Sequence, residues 1–223
     1  QMMERKRREM RALKKEARNR ELLILENETL VEMSQMVGVS EEKEEEAIMK
    51  MCYRAIGTLN ANEITVWLLL KKGTIARCTH DVRNEGEPDF KDQEIKVGHL
   101  KHFLERINEA RVVNAWDPEE KVAREEWETL SAGFIKSHCL WAPMRLSGQL
   151  RGFFILQDPG KQKKWSDAEM RFVGALGDIG SMLIEGSKRR RVEEELRRRN
   201  FELDSFVYRA SHDLKAPLNS MLG

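Results

Sequence analysis

Proline, cysteine and long apolar runs are what this chain has least of. Only 5 of its 223 residues are Pro and 3 are Cys. Cys52, Cys78 and Cys139 are odd in number and lack CxxC spacing, so they read as reduced structural thiols, not a disulfide framework. No His/Cys cluster has the spacing of a zinc site. The apolar run VWLLL (66–70) is far too short to cross a bilayer, nothing else comes close, and no secretory signal is visible. A cytoplasmic location is expected. A net charge of +1 advertises neither nucleic acid nor an anionic membrane as partner. The chain opens on Gln1 and not on methionine, so it reads as a segment of a longer protein.

Charge, by contrast, is plentiful: 35% of residues are Asp, Glu, Lys or Arg, which suggests long solvated helices beside a core. Residues 1–38 hold no Pro, and no Gly before Gly38. Met3, Met10, Ala17, Ile24 and Val31 recur every seven residues, one apolar edge of a coiled coil. The companion edge, Lys6, Leu13, Arg20, Asn27 and Ser34, is mostly polar, so the seam is weak. VGVS (37–40) should break the helix, with Ser40 as N-cap of the next.

Residues 41–187 change character. A helix is predicted over about 41–60, with Ile48, Met49, Cys52, Ile56 and Leu59 on one face. EITVWLLL (63–70) and TIARCTHDV (74–82) should pair as a hairpin around KKG. A loop (84–93), a helix (98–110), a strand (111–116) and a helix (118–134) follow. HCLWAPMRL (138–146) and QLRGFFILQ (149–157) form a second hairpin about a Ser-Gly turn. The expected class is α+β: an antiparallel sheet with flanking helices, and long N- and C-terminal coiled-coil helices.

A last helix should run from Ser166 to about residue 216. Met170, Val173, Leu176, Ile179 and Leu183 recur at three and four, although Gly174, Gly177, Gly180 and Gly186 each weaken the helix. Farther on, Val192, Leu196, Leu203, Phe206 and Ala210 keep a similar rhythm, broken at Arg199. In KRRRVEEELRRR the pairs Arg189–Glu193, Arg190–Glu194, Arg191–Glu195, Glu193–Arg197, Glu194–Arg198 and Glu195–Arg199 are four apart, which favours a solvated helix with no gap. These arginines therefore read as helix surface, and nucleic acid is not an expected partner.

SHDLKAPL (211–218) stands near the end of that helix. A neutral imidazole is a nucleophile near neutral pH, Asp213 sits beside His212, and Pro217 should kink the helix after it. The segment FELDSFVYRASHDLKAPLNSMLG (201–223) closely resembles the phosphoacceptor box that opens the dimerisation domain of sensor histidine kinases. The resemblance implies that His212 takes the γ-phosphoryl group of ATP and that Asp213 is its acid/base partner. It further implies Mg with that ATP, a response-regulator receiver domain as the next acceptor, and a homodimer. Many members carry Thr or Asn four residues after the histidine, for phosphatase activity. Here the position is Ala216, so that activity is not expected. The ATP-binding domain lies outside these residues, and the chain by itself is expected to be inactive.

The strand and helix order of 41–187 resembles a GAF domain, above all in HCLWAPMRLSGQLRGFFILQD (138–158) and KWSDAEMRFVGALGDIGSMLI (164–184). Such domains often bind a small molecule between the sheet and the loop-helix side. Bilin-binding members carry a Cys beside a His on a helix or loop. Here His138 and Cys139 fall in a strand, and covalent bilin is not expected. The Asn-Lys-x-x-x-Phe motif of cyclic-nucleotide binders is absent. His80, His99, His102 and His138 are potential haem ligands, read instead as surface or hydrogen-bonded residues. Trp67, Trp116, Trp127, Trp141 and Trp165 read as core. The division expected is a coiled-coil helix (1–38), a GAF-like sensor (41–187), and a signalling helix with the start of the phosphoacceptor domain (188–223). The alternative is a ligand-free dimerising scaffold with a kinase-like tail.

Overall fold

A computed structural model describes residues 2–35, 41–86, 90–130, 139–157 and 165–222. The expected break at VGVS with its Ser40 cap, the end of the 118–134 helix, and His138 lie outside the described residues. Helix α1 spans Met2–Gln35 and α2 spans Glu41–Leu59. Strands β1 (Glu63–Leu70) and β2 (Ile75–Arg83) are joined by a 3-10 turn at Lys71–Gly73. Then come β3 (Glu94–Lys96), α3 (Lys101–Glu109), β4 (Val113–Asn114) and α4 (Lys121–Leu130). The hairpin β5 (Cys139–Leu146) and β6 (Gln149–Gln157) leads to α5, Asp167–Leu222.

The six strands form one sheet in the order β3-β2-β1-β6-β5-β4, with every neighbouring pair antiparallel. Ser147 and Gly148 both take positive φ, 50° and 75°, as a two-residue hairpin turn requires. Three departures from the expected elements have local causes. β3 is a three-residue edge strand between the expected loop (84–93) and helix (98–110), too short to carry a periodic signal. α4 is preceded by a 3-10 turn at Pro118–Glu120. α5 passes residue 216 and Pro217 and stays helical to Leu222.

The sheet is covered on both faces. Helices α1, α2 and α5 cover one, where Met51, Ile56, Val66, Phe154, Phe172 and Leu176 are buried together. α1 joins this face through a stripe its heptads do not show: Glu26, Thr29 and Met33 are buried, and the Thr29 and Thr58 hydroxyls lie 3.2 Å apart. Met10, Ile24 and Val31, on the heptad edge, are exposed.

α5 starts in a capping box: Ser166 Oγ accepts from the Glu169 backbone N–H, and Glu169 Oε2 accepts from the Ser166 backbone N–H at 2.8 Å. Its glycines explain how it holds the sheet. A Cβ on Gly177 would stand 2.5 Å from the Pro143 carbonyl oxygen, and one on Gly180 would stand 2.6 Å from the Phe154 ring. The helix meets sheet backbone at Gly177 and sheet side chains at Gly180, so poor helix propensity is exchanged for close packing. The Arg145 backbone N–H donates to Ser181 Oγ at 2.8 Å, and that hydroxyl donates to the Gly177 carbonyl.

Candidate functional site

Two places on the molecule bear on function. One is the distal end of α5. The backbone is helical without interruption from Asp167 through His212 and Asp213 to Leu222. His212, Asp213 and Ala216 therefore ride on the helix that packs against the sheet. Their side chains lie outside what the structure describes. Upstream of them, Val192, Leu196, Phe201, Leu203, Phe206 and Val207 are all exposed. Of the anticipated ion pairs, Arg189–Glu193 closes at 3.2 Å and Glu195–Arg199 at 2.5 Å, and Arg198–Glu202 adds a contact at 3.8 Å.

The other place is the sheet, whose two faces differ. On the α3–α4 face, where GAF resemblance implies a ligand, the described residues are closely packed. Phe103 lies 4.7 Å from Trp127, 4.9 Å from Trp141 and 5.3 Å from Phe153, ring centre to ring centre, and Trp67 meets Trp127 edge-on at 5.8 Å. Three of the five tryptophans thus form this core. Trp165 is buried on the opposite face, and Trp116 is partly exposed under the Arg124 guanidinium. Cys78 and Cys139 are buried in the aromatic core, and burial pushes both thiols up to about 12. A thiol that stays protonated does not attack a chromophore. Cys52 is buried on the other face, its thiol likewise pushed up by burial.

On the three-helix face lies a cavity of about 510 Å³. Val66, Leu68, Met144 and Phe154 form its floor, with Ile48 of α2 and Ile184 of α5 as walls. A β-bulge opens it. Val66 pairs with His80 but Trp67 pairs with Cys78, so Thr79 is an extra residue in β2. Cys78 and His80 would share a face in a regular strand. The bulge instead sends Cys78 into the aromatic core and His80 to the cavity. The loop carrying Lys91 and Asp92 is held at the mouth by two backbone donors. The Phe90 N–H bonds Asp81 Oδ2 at 2.9 Å, and the Asp92 N–H bonds the Cys78 carbonyl at 2.8 Å.

His80 is 6% exposed. Its Nδ1 lies 3.0 Å from Thr79 Oγ1, and its Nε2 is buried. Burial holds its pKa below the ordinary histidine value, reinforced by Lys91 and opposed by the Glu45 charge and by a hydrogen bond with the Glu45 backbone. Of the other candidate histidines, His99 is exposed, and His102 Nδ1 lies 2.6 Å from a Glu126 carboxylate oxygen. Among the described residues no three His, Cys, Asp or Glu side chains gather as a metal site, and no helix is long and apolar enough to cross a membrane. Sequence reasoning ranked His80 with the other histidines; only the bulge sets it apart.

A six-stranded antiparallel sheet between α1–α2–α5 and α3–α4 is a GAF-like fold, and solved structures agree. The phycoerythrobilin-bound GAF domain of a cyanobacterial phytochrome superposes with a TM-score of 0.60 at 13% identity, covering 74% of this chain and 97% of that one. The GAF domain of an Acinetobacter phosphoenolpyruvate-protein phosphotransferase gives 0.53 at 16% identity, covering 71% and 91%. No family model matches the chain. Among proteins, the chain is similar to the methanogenesis regulatory histidine kinase FilI of Methanothrix harundinacea (strain 6Ac), 33% identical over 95 residues. The match covers 38% of this chain and 11% of FilI, so the chain spans about a tenth of that relative's length.

Proposed function

We propose that this chain is the sensory and phosphoacceptor portion of a two-component sensor histidine kinase. The observation that carries the reading is α5, whose first turns pack into the sheet through Gly177 and Gly180 and whose last turns hold SHDLKAPL. The similarity to a histidine kinase over 95 residues supports it. The division that follows is a coiled-coil helix over 1–38, a GAF-like sensor over 41–187, and from 188 a signalling helix that enters the phosphoacceptor domain.

His212 is the phosphoacceptor and Asp213 its acid/base partner. A ring nitrogen forms the N–P bond as the bond from the γ-phosphorus to its bridging oxygen breaks, ADP leaves, and Asp213 takes the ring proton. ATP and Mg belong to a domain outside these residues, and the phosphoryl group passes on to an aspartate of a response-regulator receiver. Two copies associate through the exposed residues of α5 and the heptad edge of α1. The decisive experiment gives ATP to the full-length protein and looks for acid-labile phosphate on His212. His212→Ala should abolish it, and phosphate persisting in that variant would refute the assignment. Single cysteines at Leu196 and Leu203 should crosslink the copies; equal crosslinking at every position along α5 would remove the seam.

A second reading is a dimerising scaffold with a kinase-like tail. It is favoured by one observation, the aromatic packing of the face where a GAF ligand is expected. It predicts no phosphate on His212 under any condition.

A further inference from the structure

We propose that Arg145 is a coupling residue: it straps the C-terminal end of α3 to α5, so that a change of packing in the aromatic core reaches the proximal half of α5 through it. Nothing in this depends on the reading of His212.

The strap begins with how α3 ends. A helix leaves its last carbonyls without intrahelical donors, and a Gly or Asn in the left-handed region often closes such an end. α3 runs instead into Ala110 in extended backbone, with φ −80° and ψ 152°. Arg145 of β5 supplies the donors. Its Nη2 meets the carbonyl oxygens of Ile107, Asn108 and Ala110 at 2.8, 2.7 and 2.6 Å, and its Nε donates to the Asn108 carbonyl at 3.1 Å. A cation at the negative end of the helix dipole strengthens these bonds. Burial pulls the Arg145 pKa below the ordinary arginine value, and the charge of Asp178 on α5 opposes that.

The same residue grips α5 with its backbone. The Arg145 N–H donates to Ser181 Oγ at 2.8 Å, and that hydroxyl donates to the Gly177 carbonyl at 2.7 Å. Gly177 in turn abuts the carbonyl of Pro143, two residues before Arg145. The guanidinium thus holds one helix and the peptide holds another, on the opposite face of the sheet. The far end of the strap reaches the aromatic core, where Phe103 and Ile107 of α3 are buried. Ile107 also offers one of the carbonyls that Arg145 holds, so a shift of its side chain moves an anchor of the strap. Two other links join this region to α5. Arg111 meets Asp178 at 2.8 Å, but both side chains are more than half exposed and water screens the pair. A Cβ on Gly174 would stand 3.1 Å from Val112, and that close approach does not involve the guanidinium, so it is the rival route.

The test follows backbone amide chemical shifts of this chain by NMR. Ile107→Val removes one methyl group from the aromatic core and alters no aromatic ring. In the parent it should shift the amides of Arg106 to Ala110 in α3 and also those of Gly177, Asp178 and Ser181 in α5. Arg145→Met, shown folded by circular dichroism, keeps the aliphatic stem and loses the donors. In that background Ile107→Val should still shift α3, while the shifts in α5 should be at least about threefold smaller, the scale on which one residue modulates a coupling. Ser181→Ala cuts the α5 end with the guanidinium intact and should shrink the α5 response in the same way, which gives a second reading if Arg145→Met does not fold. Asp178→Asn should leave the response at Gly177 and Ser181 in place. No response in α5 of the parent, or responses of equal size with and without the guanidinium, would overturn the proposal. So would a response lost in Asp178→Asn and kept in Arg145→Met.

Discussion

The two halves of α5 are one helix held by different physics. From Asp167 to about Glu185 the helix is a poor one by local rules, with Gly174, Gly177 and Gly180 spaced along it. Phe172, Val173, Leu176, Ile179 and Leu183 are nevertheless buried against the sheet, and tertiary packing supplies what propensity does not. From Arg189 onward the described side chains are mostly exposed, and charged pairs four apart do the holding. Among the described residues, the large apolar side chains of this distal half are exposed: Leu196 is 58% exposed and Phe206 is 63%. A proximal half packed on its own domain and a distal half whose described apolar side chains are exposed suit the proposed signalling helix.

The largest expected effect comes from breaking the distal half alone. Leu196→Asp combined with Leu203→Asp puts four carboxylates into the proposed seam of a dimer. Each buried leucine lost costs about 2 kcal/mol of burial, so association should vanish at micromolar protein in analytical ultracentrifugation. The chain's own melting should barely move, because neither residue touches the domain. Persistence of the dimer would mean that α1 or the sheet domain holds the copies together.

Next comes the proximal half. Gly177→Leu forces a side chain against the Pro143 carbonyl, which is backbone and cannot swing aside. We expect a loss of about 3 kcal/mol or more, and a midpoint lower by roughly 6–12 °C. Asn200→Leu, on the exposed stretch of the same helix, should stay within about 0.5 kcal/mol of the parent. If both substitutions are tolerated alike, the proximal half is not packed as described.

Such differences explain what was legible beforehand. β1 and β6 were readable to the residue because long β-branched and aromatic runs end at clear turns. The ion pairs Arg189–Glu193 and Glu195–Arg199 of α5 were readable because their spacing is local. β3 has three residues at a sheet edge, and β4 has two, so neither offers a period to detect. The face of α1 that enters the core was hidden because Glu26 and Thr29 are polar, while the apolar heptads draw the eye to the opposite edge. The cavity was illegible for a different reason. It depends on one extra residue in β2, whose presence is decided by the register with β1, a long-range fact. The position of His212 on a helix was a local matter, whereas its reactivity rested on the resemblance of the surrounding motif.

A smaller effect should be seen under the proximal half, in the pH dependence of stability. His80 has a folded pKa lowered from an ordinary value of 6.5, mainly by burial. Above 6.5 the ring is neutral in both states and costs nothing. As pH falls below 6.5 the unfolded chain binds a proton that the folded chain refuses, so stability drops until the folded pKa is reached. Glu26, whose carboxyl is raised by burial, acts in the opposite sense: it favours the fold at low pH and loses that contribution as pH rises past its folded value. The difference between parent and His80→Gln isolates the histidine. Urea melts from pH 7.5 to 5 should show the parent losing stability relative to the variant, and parallel profiles would mean that His80 is solvated.

The smallest effect returns to the distal half. Glu195→Gln removes the partner that meets Arg199 at 2.5 Å, and Glu193→Gln removes the partner of Arg189. Both pairs are exposed, so water and salt screen them, and each change should cost only about 0.2–0.5 kcal/mol of local helix stability. Global unfolding would not register a loss that small, because the paired side chains are exposed. Amide hydrogen exchange would. Protection between residues 190 and 202 should fall in the double variant at low ionic strength, and the gap from the parent should close as salt rises past the point where the Debye length is about 10 Å. A decrease in protection that extends back to Gly177 would show that the two halves melt as one unit. A decrease confined to the distal turns would show that the sheet fixes the first half of α5 while the second is free to change its packing, the property that a signal passing along this helix needs.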